Sequence, residues 1–152
     1  MKKAFFVAMI VSAAAGAFAQ EPITGYLVDV LCGKAGYPEG YQGKIDLAVN
    51  PEKNVVACLT MENCVASGFG LSVKGSNGKY VFHTFDKASS DLVKKQIVDK
   101  LKNKAETAPY IAVDGTASSA GVISGVTKAT VAKAAAAPSG GAKGSGMKSH
   151  DM

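Results

Sequence analysis

The chain lacks two residue types altogether. It contains no arginine and no tryptophan, and its basic side chains are all lysine apart from two histidines. Because arginine is the usual bidentate reader of phosphate, carboxylate and guanine, its absence argues against sequence-specific nucleic-acid binding. Without tryptophan, a surface that stacks on sugars would have to use tyrosine or phenylalanine. The formal charge of +5 falls to a mild +3 when Lys2 and Lys3 are removed.

Long hydrophobic runs are also missing after the first twenty residues, so no membrane span is expected there. The chain starts with MKK and continues as AFFVAMIVSAAAGAFA, which is the pattern of a signal peptide with an A-x-A site ending at Ala19. Its strongly apolar part, Ala4 to Val11, is short for a span of about 20 residues. We therefore expect residues 1–19 to be cleaved. The protein is then secreted or periplasmic, with no stable membrane insertion after cleavage.

The rest of the chain divides into one domain and a tail. From Ala134 onward the sequence is rich in Gly, Ala and Ser and has no aromatic or β-branched residue. Such a segment buries too little apolar surface to offset its ordering entropy. We expect residues 134–152 to form a flexible low-complexity tail and residues 20–133 to form one β domain.

Hydrophobic alternation and turn signals predict five short strands and one main helix. The segment ITGYLVDVLC, residues 23–32, alternates as a first strand. Asn77-Gly78 between LSVKGS and KYVFHTF predicts a hairpin. SSDLVKKQIVDKLKNKA is an amphipathic helix that Ser89 or Ser90 can cap, and YIAVDGTA and GVISGVTKATV supply two more strands. This order predicts a small OB-like five-stranded barrel, with an open antiparallel sheet packed on a helix as the alternative.

Three cysteines, Cys32, Cys58 and Cys64, carry most of the chemistry that the sequence offers. Disulfides persist outside the cytoplasm, so the expected use is one structural disulfide, Cys32–Cys64 or alternatively Cys32–Cys58. VVACLTMENCVASG is predicted as a short helix ended by Gly68, which would place Cys58 and Cys64 about 9 Å apart along its axis. Since the Cα atoms of a disulfide usually lie within about 7 Å, pairing these two would require the helix to break at TMEN.

A thiolate metal site is the alternative use of the same cysteines. Three thiolates would suit zinc, iron or copper(I) with one open position, and His83, Asp29 or Met61 could supply a fourth ligand. The spacing C-x25-C-x5-C, however, matches no standard zinc knuckle. The tail offers a second set of soft ligands, namely Met147, His150 and Met152.

Three further features are candidates for function. His83 is the only histidine in the predicted domain, and no third group is positioned to support a catalytic Cys/His pair. Asp29 lies in an apolar strand, so it needs a partner if it is buried. Tyr37 and Tyr41 lie in the Gly- and Pro-rich segment 33–54, which would border the usual ligand face of an OB-like barrel. These tyrosines are candidate ligand contacts.

The order TGYLVDVLCG, VACLTMENCVASGFGL, a hairpin and a final V-x-G before a hydrophobic strand resembles a group of small secreted bacterial proteins of unknown function. The resemblance covers roughly Thr24 to Val126, and it implies export and an OB-like fold but no activity. The positions that match the D-x-x-C…C…C pattern of the group are Asp29, Cys32, Cys58 and Cys64. A histidine often precedes the second cysteine in that group, whereas PEKNVVA contains none.

Taken together, these features predict an exported, non-enzymatic binding or accessory module that is stabilised by one disulfide and needs no cofactor. Its ligand would be an unknown small molecule or a protein, and not nucleic acid. The alternative is a periplasmic protein that binds zinc or copper through the cysteines or the tail.

Overall fold

The computed structural model describes residues 20–35, 47 and 49–134. Four predictions fall outside the described residues: the signal peptide, the candidate ligand contacts Tyr37 and Tyr41, the flexible tail beyond residue 134, and the tail ligands Met147, His150 and Met152. Within the described part of the chain, no helix is both long and apolar enough to cross a membrane.

The described chain is mostly sheet. Its strands are β1 (Ile23–Asp29), β2 (Phe69–Lys74), β3 (Tyr80–Phe85), β4 (Tyr110–Ala117) and β5 (Val122–Val131). Its helices are α1 (Val30–Ala35), α2 (Val56–Thr60), α3 (Glu62–Ser67) and α4 (Lys87–Gln96), with 3-10 turns at Pro51–Lys53 and Val98–Lys100. Only α4 reaches ten residues. The prediction of a mostly-β fold with five strands and one main helix is confirmed.

The strands pair in the order β1-β2-β3-β5-β4, and β1 also pairs with β4. Each strand therefore pairs with two others. The β3–β5 pair is parallel, with Thr84 opposite Val122, and the other pairs are antiparallel. This parallel pair departs from the open antiparallel sheet that was the alternative prediction.

The predicted hairpin joins β2 to β3, with Lys74 opposite Tyr80. Gly78 in its turn has a φ of 78°, a value that favours glycine because a Cβ is strained there. The Asn77 side chain accepts a hydrogen bond from the Lys79 N–H at 3.0 Å. Local turn chemistry thus produces the hairpin that Asn77-Gly78 predicts.

The first strand is shorter than its alternation predicts. It ends at Asp29, and Cys32 lies on α1 instead of on the strand. The Asp29 carboxylate oxygen Oδ1 accepts a hydrogen bond from the Cys32 N–H at 2.9 Å, which is the contact of a helix N-cap. This side-chain contact ends the strand where the hydrophobic pattern alone would continue it.

The segment predicted as one short helix forms two. Met61 separates α2 from α3 and has an extended backbone, with φ −70° and ψ 139°. Gly68 ends α3 as predicted, with a φ of 84°. The axial distance between Cys58 and Cys64 was calculated for a continuous helix, so it does not apply to this break.

Helix α4 begins after Asp86, whose Oδ1 accepts a hydrogen bond from the Ser89 N–H at 2.8 Å. The prediction that Ser89 or Ser90 caps the helix is therefore wrong. Both serines are buried, and their hydroxyls bind the sheet instead. Ser89 Oγ accepts from the Val126 N–H at 3.1 Å, and Ser90 Oγ accepts from the Phe69 N–H at 3.0 Å. These two bonds fasten α4 to the sheet.

Buried apolar side chains form two clusters. The larger one joins the sheet to α4 and includes Leu27, Phe69, Leu71, Val93, Ile111 and Ile123. The smaller one contains Val28, Cys32, Leu47, Cys58 and Cys64, with Val55 and Phe82 packed against it. All three cysteines of the chain therefore share the smaller cluster.

Candidate functional site

Asp29 lies at the junction of β1 and α1 and is 0 % exposed. Its Oδ1 accepts the Cys32 N–H, which gives this oxygen the partner that a buried acid needs. Its second oxygen, Oδ2, is also buried and has no hydrogen-bond partner among the described residues. Burying a polar group without a partner costs free energy, and a cation bound at Oδ2 would offset that cost.

A set of hydrogen bonds holds α3, which carries Cys64, beside the start of α1. The Val30 N–H donates to the Gly68 carbonyl at 2.9 Å. The Leu31 N–H donates to Ser67 Oγ at 3.2 Å, and the Ser67 hydroxyl donates to the Cys64 carbonyl at 2.7 Å. The first turn of α1 is thereby tied to the last turn of α3, which fixes how far apart the two helices hold their cysteines.

The result is a close group of three ligand atoms. A carboxylate oxygen of Asp29 and the Sγ atoms of Cys32 and Cys64 all lie within 4.8 Å of one another, and all three residues are buried. The structure contains the cysteines as thiols, so it holds neither the predicted Cys32–Cys64 disulfide nor its Cys32–Cys58 alternative. It nevertheless brings together the two sulfurs of the preferred pair.

Cys58 lies on α2 in the same apolar cluster and is also buried. Its charge contributes to the raised pKa values of Cys32 and Cys64, so it lies near them. It does not belong to the close group of ligand atoms. The alternative metal site was predicted to use three cysteines, whereas the close group consists of two cysteines and Asp29.

Burial raises the pKa of both thiols in the group. The pKa of Cys64 rises from 9.0 to about 11, first because of burial and then because of the negative charge of Asp29. The same two causes, in the same order, raise the pKa of Cys32 well above its ordinary value. Near neutral pH the metal-free protein therefore holds two protonated thiols, and a metal that bound both sulfurs would displace two protons.

The other predicted fourth ligands lie apart from this group or are exposed. His83 lies on β3 opposite Leu71 and is not in the close group. Its Nδ1 is buried and has no hydrogen-bond partner within the described part of the chain. The Met61 side chain is 53 % exposed, unlike the buried group. Of the predicted fourth ligands, Asp29 is the one that the fold places beside the thiols.

A tyrosine cluster on the sheet is a feature that the sequence reasoning missed. The ring of Tyr26 lies 5.9 Å from that of Tyr80 and 5.0 Å from that of Tyr110, edge-on in both cases. Burial is the first cause of the raised pKa of Tyr26 and of Tyr80. The charges of Glu52 and then Tyr110 add to it at Tyr26, and those of Tyr26 and then Glu52 add to it at Tyr80. Tyr26 faces Tyr110 across the β1–β4 pair, and sequence spacing does not reveal that pairing.

No model of a known family, no curated protein and no solved structure matched the chain. What the site can do follows from its own donor atoms. Two thiolate sulfurs with one carboxylate oxygen form a donor set that suits zinc, whereas magnesium and calcium prefer oxygen ligands alone. The arrangement can therefore hold a thiophilic metal ion.

Proposed function

We propose that this chain is an exported, non-enzymatic protein that binds one zinc ion through Asp29, Cys32 and Cys64. The observation that carries the proposal is the buried Oδ2 of Asp29, which has no hydrogen-bond partner among the described residues. A purely structural buried carboxylate is expected to have both oxygens paired, whereas a metal ligand needs an available lone pair. The close approach of the two thiols to this carboxylate supplies the other two ligands.

Charge favours zinc over copper(I) at these residues. Two thiolates and one carboxylate carry three negative charges when ionised. Zn²⁺ leaves a net charge of −1 on that set and Cu⁺ leaves −2, and residual charge is costly in a buried apolar cluster. The carboxylate oxygen also suits zinc better than it suits copper(I), which selects soft sulfur ligands. A water molecule would complete a four-coordinate site.

The proposed setting is an OB-like barrel outside the cytoplasm. The pairing order β1-β2-β3-β5-β4, with β1 beside β4, supports a barrel, and α4 lies between the third and fourth strands as in the predicted OB-like order. The signal-peptide pattern of residues 1–19 supports export to the periplasm or beyond the cell.

The test is a metal titration of the full chain, recovered from the exported fraction of a bacterial host under reducing conditions. We expect native mass spectrometry to show one zinc per chain. Competition against a chromophoric chelator should then show binding weakened at least about tenfold in Cys32→Ser, Cys64→Ser and Asp29→Asn. The Asp29→Asn variant keeps the shape of the side chain and removes the charge, so it separates ligation from packing.

Cys58→Ala is the matched control because it removes a buried cysteine of the same cluster that lies outside the close group. It should bind zinc as the parent does. A reduced chain that takes up no zinc would overturn the proposal, and so would a Cys32→Ser/Cys64→Ser double variant that binds like the parent. Uptake of copper(I) but not zinc would refute the choice of metal.

A disulfide-stabilised binding module is the second candidate, and the closeness of Cys32 and Cys64 favours it. In that case the exported chain purified without reductant would be two mass units lighter, and it would bind no zinc even after reduction. The unknown ligand would then be sought at another surface, for which the cluster of Tyr26, Tyr80 and Tyr110 on β1, β3 and β4 is a candidate.

A further inference from the structure

We infer that Cys32 and Cys64 form a redox switch that sets whether the metal is held: the dithiol binds zinc, and the Cys32–Cys64 disulfide releases it. This inference rests on the proposed function, because it assigns the regulation of the same site. A switch of this kind differs from a structural disulfide, because the protein uses both the zinc-bound dithiol and the zinc-free disulfide, and one cysteine pair cannot be in both states at once.

The geometry supports both states. The two sulfurs lie within 4.8 Å of each other, and a disulfide requires a separation of about 2.05 Å. A difference of this size lies within the reach of side-chain rotation when the helices are already adjacent. The bonds from Val30 to Gly68 and from Leu31 to Ser67 keep α1 and α3 adjacent without any covalent link between the cysteines.

The chemistry makes the two states exclusive. Disulfide formation consumes two of the three proposed ligands and leaves Asp29 as the remaining member of the group. A single carboxylate does not retain zinc in competition with chelators, whereas two thiolates and a carboxylate do. The two effects are thermodynamically linked: if oxidation weakens zinc binding by a given factor, zinc binding favours the reduced form by the same factor.

The exchange step balances with a small-molecule disulfide as the oxidant. In the metal-free protein, the Cys64 or Cys32 thiolate attacks one sulfur of RSSR, a mixed disulfide forms and the first RS⁻ leaves and takes up a proton. The second protein thiolate then attacks the mixed disulfide, which forms the Cys32–Cys64 bond and expels the second RS⁻. The protein loses two electrons and two protons, and RSSR becomes two RSH. From the zinc form, the same exchange releases Zn²⁺ and takes two protons from solvent.

Burial controls the rate of this exchange. Cys32 is 3 % exposed and Cys64 is 4 % exposed, so an oxidant reaches them through local opening of the short helices α1 and α3. Bound zinc links the two helices and opposes that opening. The metal-free dithiol is therefore oxidised faster than the zinc form, which keeps loaded protein reduced in an oxidising compartment.

The test places the full chain in glutathione redox buffers, with free zinc either absent or held by a metal buffer at 100 times its dissociation constant. Thiols are trapped by alkylation, and the disulfide is mapped by mass spectrometry. In a separate arm without the metal buffer, the zinc-loaded chain is oxidised and the released zinc is read with a chromophoric chelator. We expect one zinc released per Cys32–Cys64 disulfide formed. Zinc should also lower the ratio [GSH]²/[GSSG] at half-oxidation by about 100-fold.

Cys58→Ala should show the same coupling, because it keeps both switch sulfurs and removes the competing thiol. Three results would overturn the inference while zinc binding stands: a midpoint that zinc does not move, oxidation that pairs Cys58 with either partner, or a disulfide that forms with zinc retained. If the reduced chain binds no zinc while Cys32–Cys64 still forms, the proposed function fails and the switch fails with it. These outcomes separate the two claims.

Discussion

Raising the pH of the reduced, metal-free protein should destabilise it through the buried thiols. Folding raises the pKa of Cys64 from 9.0 to about 11, so between these values the folded state binds more protons than the unfolded state. The free energy of unfolding then decreases as the pH rises. The stability that the protonated Cys64 thiol contributes is fully present below the unfolded pKa of 9.0 and is lost progressively as the pH rises above it. Cys32, whose pKa is also raised, acts in the same direction.

The magnitude follows from the two pKa values of Cys64. At pH 10.5 the unfolded thiol is almost wholly ionised, while the folded thiol with a pKa of about 11 remains mostly protonated. The difference corresponds to a loss of about 2 kcal/mol in the free energy of unfolding relative to pH 8. This is a sizeable fraction of the usual stability of a small domain, which is about 5–15 kcal/mol.

The assay is urea unfolding at pH 8, 9, 10 and 10.5 with reductant and chelator present. Lysines and tyrosines titrate in the same range, so the informative quantity is the pH dependence of the parent minus that of Cys64→Ala. This difference should approach about 2 kcal/mol at pH 10.5. Asp29→Asn should reduce the pH dependence, because the Asp29 charge is the second cause of the raised thiol pKa values. Parallel curves for parent and Cys64→Ala would refute the reasoning.

Three further predictions test the site and its scaffold. The dissociation constant for zinc should decrease by up to about 100-fold for each unit of pH rise between pH 6 and 8, because zinc displaces two thiol protons. Chelator competition at each pH measures this change. Ser90→Ala should lower the free energy of unfolding in urea by about 1–2 kcal/mol, because the buried Phe69 N–H loses its acceptor, whereas the exposed Ser76→Ala should not. Gly70→Ala should cost about 1–3 kcal/mol in the same assay, since its Cβ would clash with the backbone oxygen of His83.

Each of these predictions has a result that would contradict it. Zinc affinity that is equal at pH 6 and pH 8 would mean that the thiols do not give up protons to the metal. Equal stability of Ser90→Ala and Ser76→Ala would mean that the hydroxyl contact with β2 contributes nothing. A free energy of unfolding for Gly70→Ala equal to that of the parent would mean that β2 and β3 move apart at no cost to admit the added methyl group.

Local chemistry made part of the fold predictable. Asn77-Gly78 predicts the hairpin because a turn depends on residues that are neighbours in sequence, and Gly68 ends α3 for the same reason. The predicted end of β1 at Cys32 was wrong, because the hydrogen bond from the Cys32 N–H to the Asp29 side chain starts a helix where the alternating pattern would continue the strand. The break at Met61 was likewise not visible in a hydrophobic pattern that fits a helix throughout.

The sequence predicted which residues are candidates for the site, but not which of them lie together. The sequence singles out Asp29, Cys32, Cys58 and Cys64 as chemically capable residues. Which of them meet depends on the bonds that tie α1 to α3, and these join residues more than thirty positions apart, such as Leu31 and Ser67. That Asp29 Oδ2 has no hydrogen-bond partner among the described residues follows from packing, and a sequence motif cannot show it.

The sequence by itself determined the strand-rich pattern, the main helix and the hairpin, because these depend on periodicity and turn residues within short windows. Tertiary structure decided the parallel β3–β5 pair, the meeting of Tyr26 with Tyr110, and the choice of Cys32 and Cys64 over Cys58 as the neighbours of Asp29. The physical reason is that contacts between distant segments depend on how whole elements pack. A buried carboxylate beside two thiols arises only when the end of a strand and two short helices are brought together.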